Sequence, residues 1–426
     1  MKKNILVFPC GSEIALDIYS SVQYSAHFNL IGASSVDDHG RFVYENYIAG
    51  VPYITDVNFI PYMAEIVKEY NIDAIYPAMD LVITILKENE ELIGCKVIAP
   101  VSETTRICLS KDLTYNLLKD VIKIPRIYAD HTQIHTNDYP VFAKPKIGYG
   151  AKGTKLLRSS EDLESFIIGK DDIMILEYLP GEEYTVDCFT NKDGELLYSA
   201  ARKRNRIKDG ISVNTYFADN QVEFEVIAKK INSVITFRGA WFIQLKRNKS
   251  GELCLLEVAA RLGGSSLLSR AIGVNFALLT LFDVFDYKVS IVKNDYFVEL
   301  DRALDNRYKT DLYFDSVYCD YDDCLILDKI KVNYKLVSFL YKCKNENKNV
   351  YLLTKHEGTD LLTELKEFRL TQIFDGIIHI ARNDDKALYV NSGKPILIDD
   401  SNSERSNIKN KLNIPVFSPD MIDVLL

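Results

Sequence analysis

Two stretches of this chain, one at each end, alternate apolar runs with helix-forming segments. In the first, NILVFP, FNLIGAS, DAIYPAM and KVIAP read as strands. The segments SEIALDIYSSV, FIPYMAEIVKEY and VITILKENEEL between them read as helices. Strands this apolar cannot leave a face in water, so helices must cover both sides of a parallel sheet. The second stretch repeats the pattern. DSVYCDYDDCLIL, NVYLLTKHEG, DGIIHIA and KPILIDDS are its strands, with a helix across 330–347, a second helix and a short third one between them.

The middle of the chain reads differently. Ser110 caps a helix whose first turn holds Lys111 and Asp112. VFAKP, the loop KIGYGAKG and TKLL then form a hairpin, followed by a short helix over 160–168. From IMILEYLPGEEYTVDCF onwards, LPGEE and NKDGE mark turns between strands. A helix over 221–236 precedes a strand pair joined by Asn248-Lys249-Ser250-Gly251. Gln244 and Glu257 fall on its facing strands near the open end. FALLTLFDVFDY is a further helix, and 288–315 reads as a linker or small subdomain. A chain of 426 residues accommodates about two to four domains.

Composition narrows the function. Hydrophobic residues are 47% and charged residues 26%, a globular balance. A net charge of -9 argues against a general nucleic-acid binder. No apolar run approaches the roughly 20 residues of a membrane helix. The apolar run of MKKNILVFPCGSE is too short for a signal sequence. Eight scattered cysteines without a C-x-x-C pair suit free thiols in a cytoplasmic protein.

The loop KIGYGAKG carries the first chemical signal. Gly148, Gly150 and Gly153 fit G-x-G-x-x-G, but a strand follows the loop where a dinucleotide site needs a helix. Thr154 and Lys155 stand in the reverse of the Walker A order. Two readings remain: an ordinary hairpin with a basic loop, or a flap whose bare backbone approaches phosphates, with Lys144 supplying a point charge at the strand's end. The basic run Arg202, Lys203, Arg204, Arg206 and Lys208 is either a solvated loop or a grip on an anion.

With these pieces in order, residues 1 to about 305 resemble the ATP-grasp superfamily, most of all its carbamoyl-phosphate-synthetase-like and amino-acid-ligase-like members. The resemblance implies a Rossmann-like pre-ATP-grasp domain over 1–105 and an ATP-grasp domain over 106–305, its flap subdomain at about 120–185. It implies that Lys111, Lys144 and the loop Gly148, Gly150, Gly153 meet the nucleotide phosphates. Glu177, Tyr178 and Leu179 would hold adenine, and Glu183 the ribose. Gln244 and Glu257 would hold Mg²⁺ between the phosphates, and Arg261 would steady the transferred phosphoryl group. Many members carry E-x-N-P-R with the Asn on metal. Here Ala259 takes that place and cannot ligate.

VYCDYDDCLIL similarly resembles the first motif of haloacid-dehalogenase-like (HAD) phosphatases. This implies a HAD-like parallel-sheet domain over 312–426 with Asp320 as nucleophile and Asp322 as general acid–base. Thr354, Lys386 and the pair Asp399, Asp400 match the later motifs, with Asp320, Asp322, Asp399 and Asp400 as the implied metal ligands. Cys324 stands where Thr or Val is usual. About thirty residues separate the first two motifs, too few for a large cap domain.

The expectation is an α/β and α+β protein that uses ATP and Mg²⁺ to join a small-molecule carboxylate and an amine through an acylphosphate. The HAD-like part would hydrolyse a phosphomonoester, acting in sequence on a phosphorylated amide in surface-polysaccharide or small-metabolite biosynthesis. The alternatives are a carbamoyl-phosphate-type carboxylate kinase, and an ATP-binding protein with an inactive HAD domain. No nucleic acid and no membrane span are expected, and a homodimer is left open.

Overall fold

The structure, a computed structural model, describes residues 2–148, 152–170, 172–208, 210–304, 308, 310–358, 360–391 and 393–426. Gly150 lies outside the described residues. The chain forms two compact units, Met1–Leu304 and Asp305–Leu426.

The first unit begins with a five-stranded parallel sheet. Its order is Asn46–Ile48, Phe28–Ala33, Lys3–Phe8, Ala74–Pro77, Lys96–Val97. Successive side chains of a strand face opposite ways. Ile5 and Val7 therefore pack with Ala15 and Ile18 on one face, while Leu6 and Phe8 pack with Met63 and Ile66 on the other. Both faces are buried, as the unbroken apolar runs require. Asn46–Ile48 is a strand that the sequence reading missed, because NYI is short and its first residue is exposed. The helix expected over VITILKENEEL breaks at Asn89 into Asp80–Glu88 and Glu90–Ile93.

Two antiparallel sheets follow. The smaller runs Ile127–Tyr128, Ile173–Glu177, Val141–Pro145, Lys155–Leu157. The glycine loop joins its last two strands as a hairpin. The larger has six strands in the order Leu253–Ala259, Gly239–Arg247, Glu183–Thr190, Leu196–Lys208, Ile211–Phe217, Glu299–Asp301. Its last strand lies within 288–315, so part of that stretch completes the first unit's sheet rather than linking two domains. Ser110 caps the helix Lys111–Leu118 by accepting the Leu113 amide. That helix packs Tyr115 and Leu118 into a core shared by both antiparallel sheets.

The second unit is a parallel sheet of order Gly376–His379, Asn349–Thr354, Ser316–Cys319, Pro395–Ile398, Val416–Phe417. The helix expected from 330 begins only at Tyr334, because Ile326–Leu327 and Lys331–Val332 pair as a small antiparallel hairpin. The hairpin turns at Asp328 and Lys329, both with positive φ.

Trp241 is the single tryptophan and is buried in the six-stranded sheet against Phe237, with ring centroids 3.9 Å apart. Its indole N–H donates to Thr190 Oγ1 at 2.9 Å, and the Thr190 hydroxyl donates to Asn232 Oδ1 at 2.7 Å. Thr190→Val keeps the shape but strands buried partners, so it is expected to cost about 1–3 kcal/mol. Urea unfolding followed by Trp241 fluorescence measures this. An unchanged midpoint would show that the hydroxyl contributes nothing.

Candidate active sites

Lys144 ties the two antiparallel sheets of the first unit together. On Val141–Pro145, Val141 and Ala143 face the small core beneath the helix Ser160–Ile167. Lys144 faces the other way and is 6% exposed. Its Nζ donates to the Tyr115 hydroxyl at 2.6 Å and to the Leu256 carbonyl at 2.9 Å. Tyr115 Oη donates in turn to Leu256 O at 2.8 Å. The residue after Leu256 is Glu257, and Glu257 is the direct cross-strand partner of Gln244. The flap lysine and the two expected Mg²⁺ ligands thus meet at one place. Lys111 reaches the same loop, donating from Nζ to the Gly148 carbonyl at 2.9 Å and from its amide to Lys146 O at 2.9 Å. Gly153 turns the loop back with φ +73°, and a Cβ there would lie 2.9 Å from Pro145 Cγ.

Burial lowers the Lys144 pKa to about 7, against the opposing pull of Glu257. Desolvation favours the neutral amine, and Lys111 adds to that preference.

Of the remaining residues, Glu183 lies near enough to Lys144, and Arg261 near enough to Glu257, to interact electrostatically. Glu177 ends the strand Ile173–Glu177, accepts the Arg126 amide at 3.2 Å and donates its own amide to Arg126 O at 2.8 Å. Tyr178 and buried Leu179 then carry the chain from the small sheet towards the large one. Glu183, the implied ribose acceptor, is taken up by two cations, Arg204 Nε at 3.1 Å and Lys246 Nζ at 3.5 Å. A sugar hydroxyl would have to share it. Arg261 is clasped by Asp80, with Nε 2.9 Å and Nη2 2.8 Å from its two carboxylate oxygens, and lies over the Phe242 ring at 5.2 Å. Burial opposes the guanidinium charge, but Asp80 outweighs it and raises the pKa.

The basic run around Arg202 is strand, not loop, and divides by side. Lys203 and Arg206 pair at the surface with Glu182 and Asp301. Arg202 is buried against Asp187 at 2.7 Å, each side chain 3% exposed. Gly263 lies directly over this pair. A Cβ there would be 2.9 Å from Asp187 Oδ1 and 3.0 Å from Arg202 Nη2. Arg202 Nη1 and Thr185 Oγ1 are buried without a hydrogen-bond partner among the described residues. Unpaired buried polar groups of this kind are costly and suit a site that a polar ligand completes.

In the second unit Asp320, Thr354 and Asp399 end or follow three adjacent parallel strands, at the same edge. Lys386 Nζ stands 2.8 Å from Asp320 Oδ1 and 2.7 Å from Asp399 Oδ2, and all three residues are buried. Ligand oxygens of Asp320, Asp399 and Asp400 lie within 4.8 Å of one another. Burial and then the Asp320 charge push Asp399 up to about 6, and the same causes raise Asp400. Three carboxylates and one lysine leave negative charge uncompensated, which fits a divalent cation with hard oxygen ligands. Asp322, an expected ligand, is outside this group. Its carboxylate is held by His356 Nδ1–H at 2.9–3.0 Å. A cleft of about 180 Å³ opens among Asp320, Asp322, Thr354, Lys386 and Asp399.

Tyr115, Asp80, Asp187 and His356 are residues that the sequence reading passed over. Tyr115 alone had a local signal, lying four places after Lys111 and so on the same helix face.

A family model described as ATP-grasp in the biosynthetic pathway with Ter operon matches residues 169–309. No curated protein matches the chain. Among solved structures, Rhizobium etli pyruvate carboxylase aligns at 16% identity and TM-score 0.57, over 68% of this chain and 29% of its own. The biotin carboxylase domain of Hydrogenobacter thermophilus 2-oxoglutarate carboxylase, solved with MgADP and bicarbonate, aligns at 16% identity and TM-score 0.58, over 69% of this chain and 72% of its own. Bacillus licheniformis L-amino acid ligase aligns at 16% identity and TM-score 0.55, over 67% of this chain and 74% of its own. The fold of the larger part of the chain is therefore the ATP-grasp fold. No helix among the described residues is long and apolar enough to cross a membrane.

Lys144 supplies a pH test. The unfolded chain holds its proton up to about 10.4, the folded one only to about 7. Between these values the unfolded state binds more protons, so stability rises with pH. Wild type minus Lys144→Met is expected to gain up to about 1.4 kcal/mol per pH unit in that window. Urea unfolding at pH 7.5 and 9 decides it, and parallel profiles would count against a neutral lysine.

Proposed function

We propose that the Met1–Leu304 unit joins a carboxylate to an amine with ATP, and that the Asp305–Leu426 unit hydrolyses a phosphomonoester. The observation carrying the first half is the reach of Lys144 from the flap sheet to Leu256, beside Glu257 and Gln244. An ATP-grasp fold with its phosphate lysine, flap and acidic metal positions at one place can activate a carboxylate. A carboxylate oxygen attacks the γ-phosphorus of ATP and the bond to the β-phosphate oxygen breaks, giving ADP and an acylphosphate. The amine then attacks the carbonyl carbon, phosphate departs with the C–O bonding pair, and the amine nitrogen loses a proton. Lys111 and Lys144 place positive charge on the phosphates, and Asp80 holds Arg261 ready for the transferred group. Glu257 and Gln244 offer the hard oxygens that Mg²⁺ takes, and the ion when bound neutralises charge between the phosphates. Ala259 adds no ligand.

The second half rests on the geometry of Asp305–Leu426 alone, and we read this unit as HAD-like. Asp320 attacks phosphorus and the ester oxygen leaves, taking a proton from Asp322. Water then attacks the aspartyl-phosphate, returns a proton to Asp322 and releases phosphate. Lys386 holds Asp320 against repulsion by Asp399, and a divalent cation at Asp320, Asp399 and Asp400 would screen the phosphate charge.

Two outcomes are expected. ADP release should require both a carboxylate and an amine, and Lys144→Ala and Glu257→Gln should each slow it about 10²–10³-fold. Coupled-enzyme assays across acid and amine panels measure this, and amine-independent release would instead indicate a carboxylate kinase. The two activities together imply that the amine carries a phosphate removed after ligation. Asp320→Asn should then accumulate a phosphorylated amide, seen by mass spectrometry. An unphosphorylated product from that variant would separate the two activities.

A further inference from the structure

We propose that His356 is a positioning residue for Asp322, holding its carboxylate where it passes a proton to the departing ester oxygen. This rests on the phosphomonoesterase reading of the Asp305–Leu426 unit. Among the described residues the Asp322 side chain is 41% exposed, whereas the His356 side chain is 7% exposed. Between Asp320 and Thr354 lie only the small hairpin and the helix Tyr334–Asn345. An exposed carboxylate in water samples several rotamers, and a proton donor displaced by about an ångström loses much of its rate. The imidazole removes that freedom. Nδ1 lies 3.0 Å from Asp322 Oδ1 and 2.9 Å from Oδ2, so one N–H is shared between both oxygens.

The ring is itself immobilised. Nε2 stands 3.3 Å from Glu364 Oε1 without a hydrogen bond among the described residues, and Glu364 Oε2 accepts the Tyr321 hydroxyl at 2.7 Å. The Tyr321 ring meets the imidazole edge-on, with centroids 4.9 Å apart and planes at 72°. The His356 amide donates to Thr354 Oγ1 at 3.1 Å, and its carbonyl accepts from His379 Nε2 at 2.9 Å. Tyr321, between the two aspartates in sequence, is 1% exposed in the core. The scaffold fixing Asp322 therefore runs from the core through Tyr321, Glu364 and His356 to the cleft. None of these three belongs to the carboxylate group around Asp320.

The chemistry separates positioning from mere structure. An alkyl phosphate expels its oxygen only as the neutral alcohol, so P–O cleavage needs the Asp322 proton. A p-nitrophenyl phosphate expels a stable phenolate and needs none. The test measures alcohol release from 2-phenylethyl phosphate and phenol release from p-nitrophenyl phosphate in a single turnover by rapid quench, using the full chain with Mg²⁺. His356→Ala is expected to slow alcohol release about 10–100-fold and phenol release less than about threefold. His356→Asn, whose side-chain amide occupies the Nδ1 position, should restore most of the alcohol rate. His356→Gln, whose amide reaches the Nε2 position, should not. Equal slowing of both esters in His356→Ala, or equal rates for the Asn and Gln variants, overturns the proposal. The Asn-to-Gln comparison decides the matter even if the alanine variant fails to fold. Wild type releasing neither product above the level of Asp320→Asn would instead overturn the phosphomonoesterase reading itself.

Discussion

The first unit depends on one buried ammonium. Lys144 lies between a four-stranded and a six-stranded sheet, with a phenol and a peptide carbonyl as its hydrogen-bond partners among the described residues. A charge in that position is poorly solvated, and no carboxylate among the described residues is close enough to form an ion pair with it. The environment therefore favours the neutral amine, and an arriving polyanion would reverse that preference. The same contact fixes the distance between the flap hairpin and the strand carrying Glu257. Preparing the site and joining the sheets are one interaction.

The second unit shows the opposite imbalance. Lys386 is shared by Asp320 and Asp399, with Asp400 at the rim, so negative charge is in surplus. Burial opposes the Lys386 charge, but the two aspartates outweigh it and raise its pKa. A surplus of acidic oxygens at the ends of parallel strands attracts a cation, and a cation attracts phosphate. One unit holds a buried amine that an arriving polyphosphate would charge, and the other holds anions ready for a metal.

Much of the fold could be read from periodicity. Unbroken apolar runs forced two-sided burial in both parallel sheets, and the Asn248–Gly251 turn placed Gln244 opposite Glu257. What failed had physical reasons. NYI is too short to show a period, and Asn89 breaks a helix whose pattern continues past it. Glu299–Asp301 is a strand only because Ile211–Phe217 offers it an edge. The basic run at Arg202 read as one feature, yet strand alternation buries Arg202 and leaves Lys203 in a surface ion pair. For Asp322, the resemblance to HAD phosphatases implied a place among the metal ligands. Its side chain instead turns to a histidine contributed by the next strand's loop.

By itself the sequence determined which chemical groups the chain owns and which elements carry them. It placed lysines at the start of a helix and the end of a flap strand, and aspartates at the ends of parallel strands. Only the tertiary structure decided what each charge faces. Lys144 meets Tyr115 from 29 residues away and Leu256 from 112, and Arg261 meets Asp80 from 181. Local pattern reports an element's period and its caps, because those arise from neighbouring residues. The solvation and pairing of a buried charge depend on whatever the folded chain brings beside it, and that is not written in any short segment.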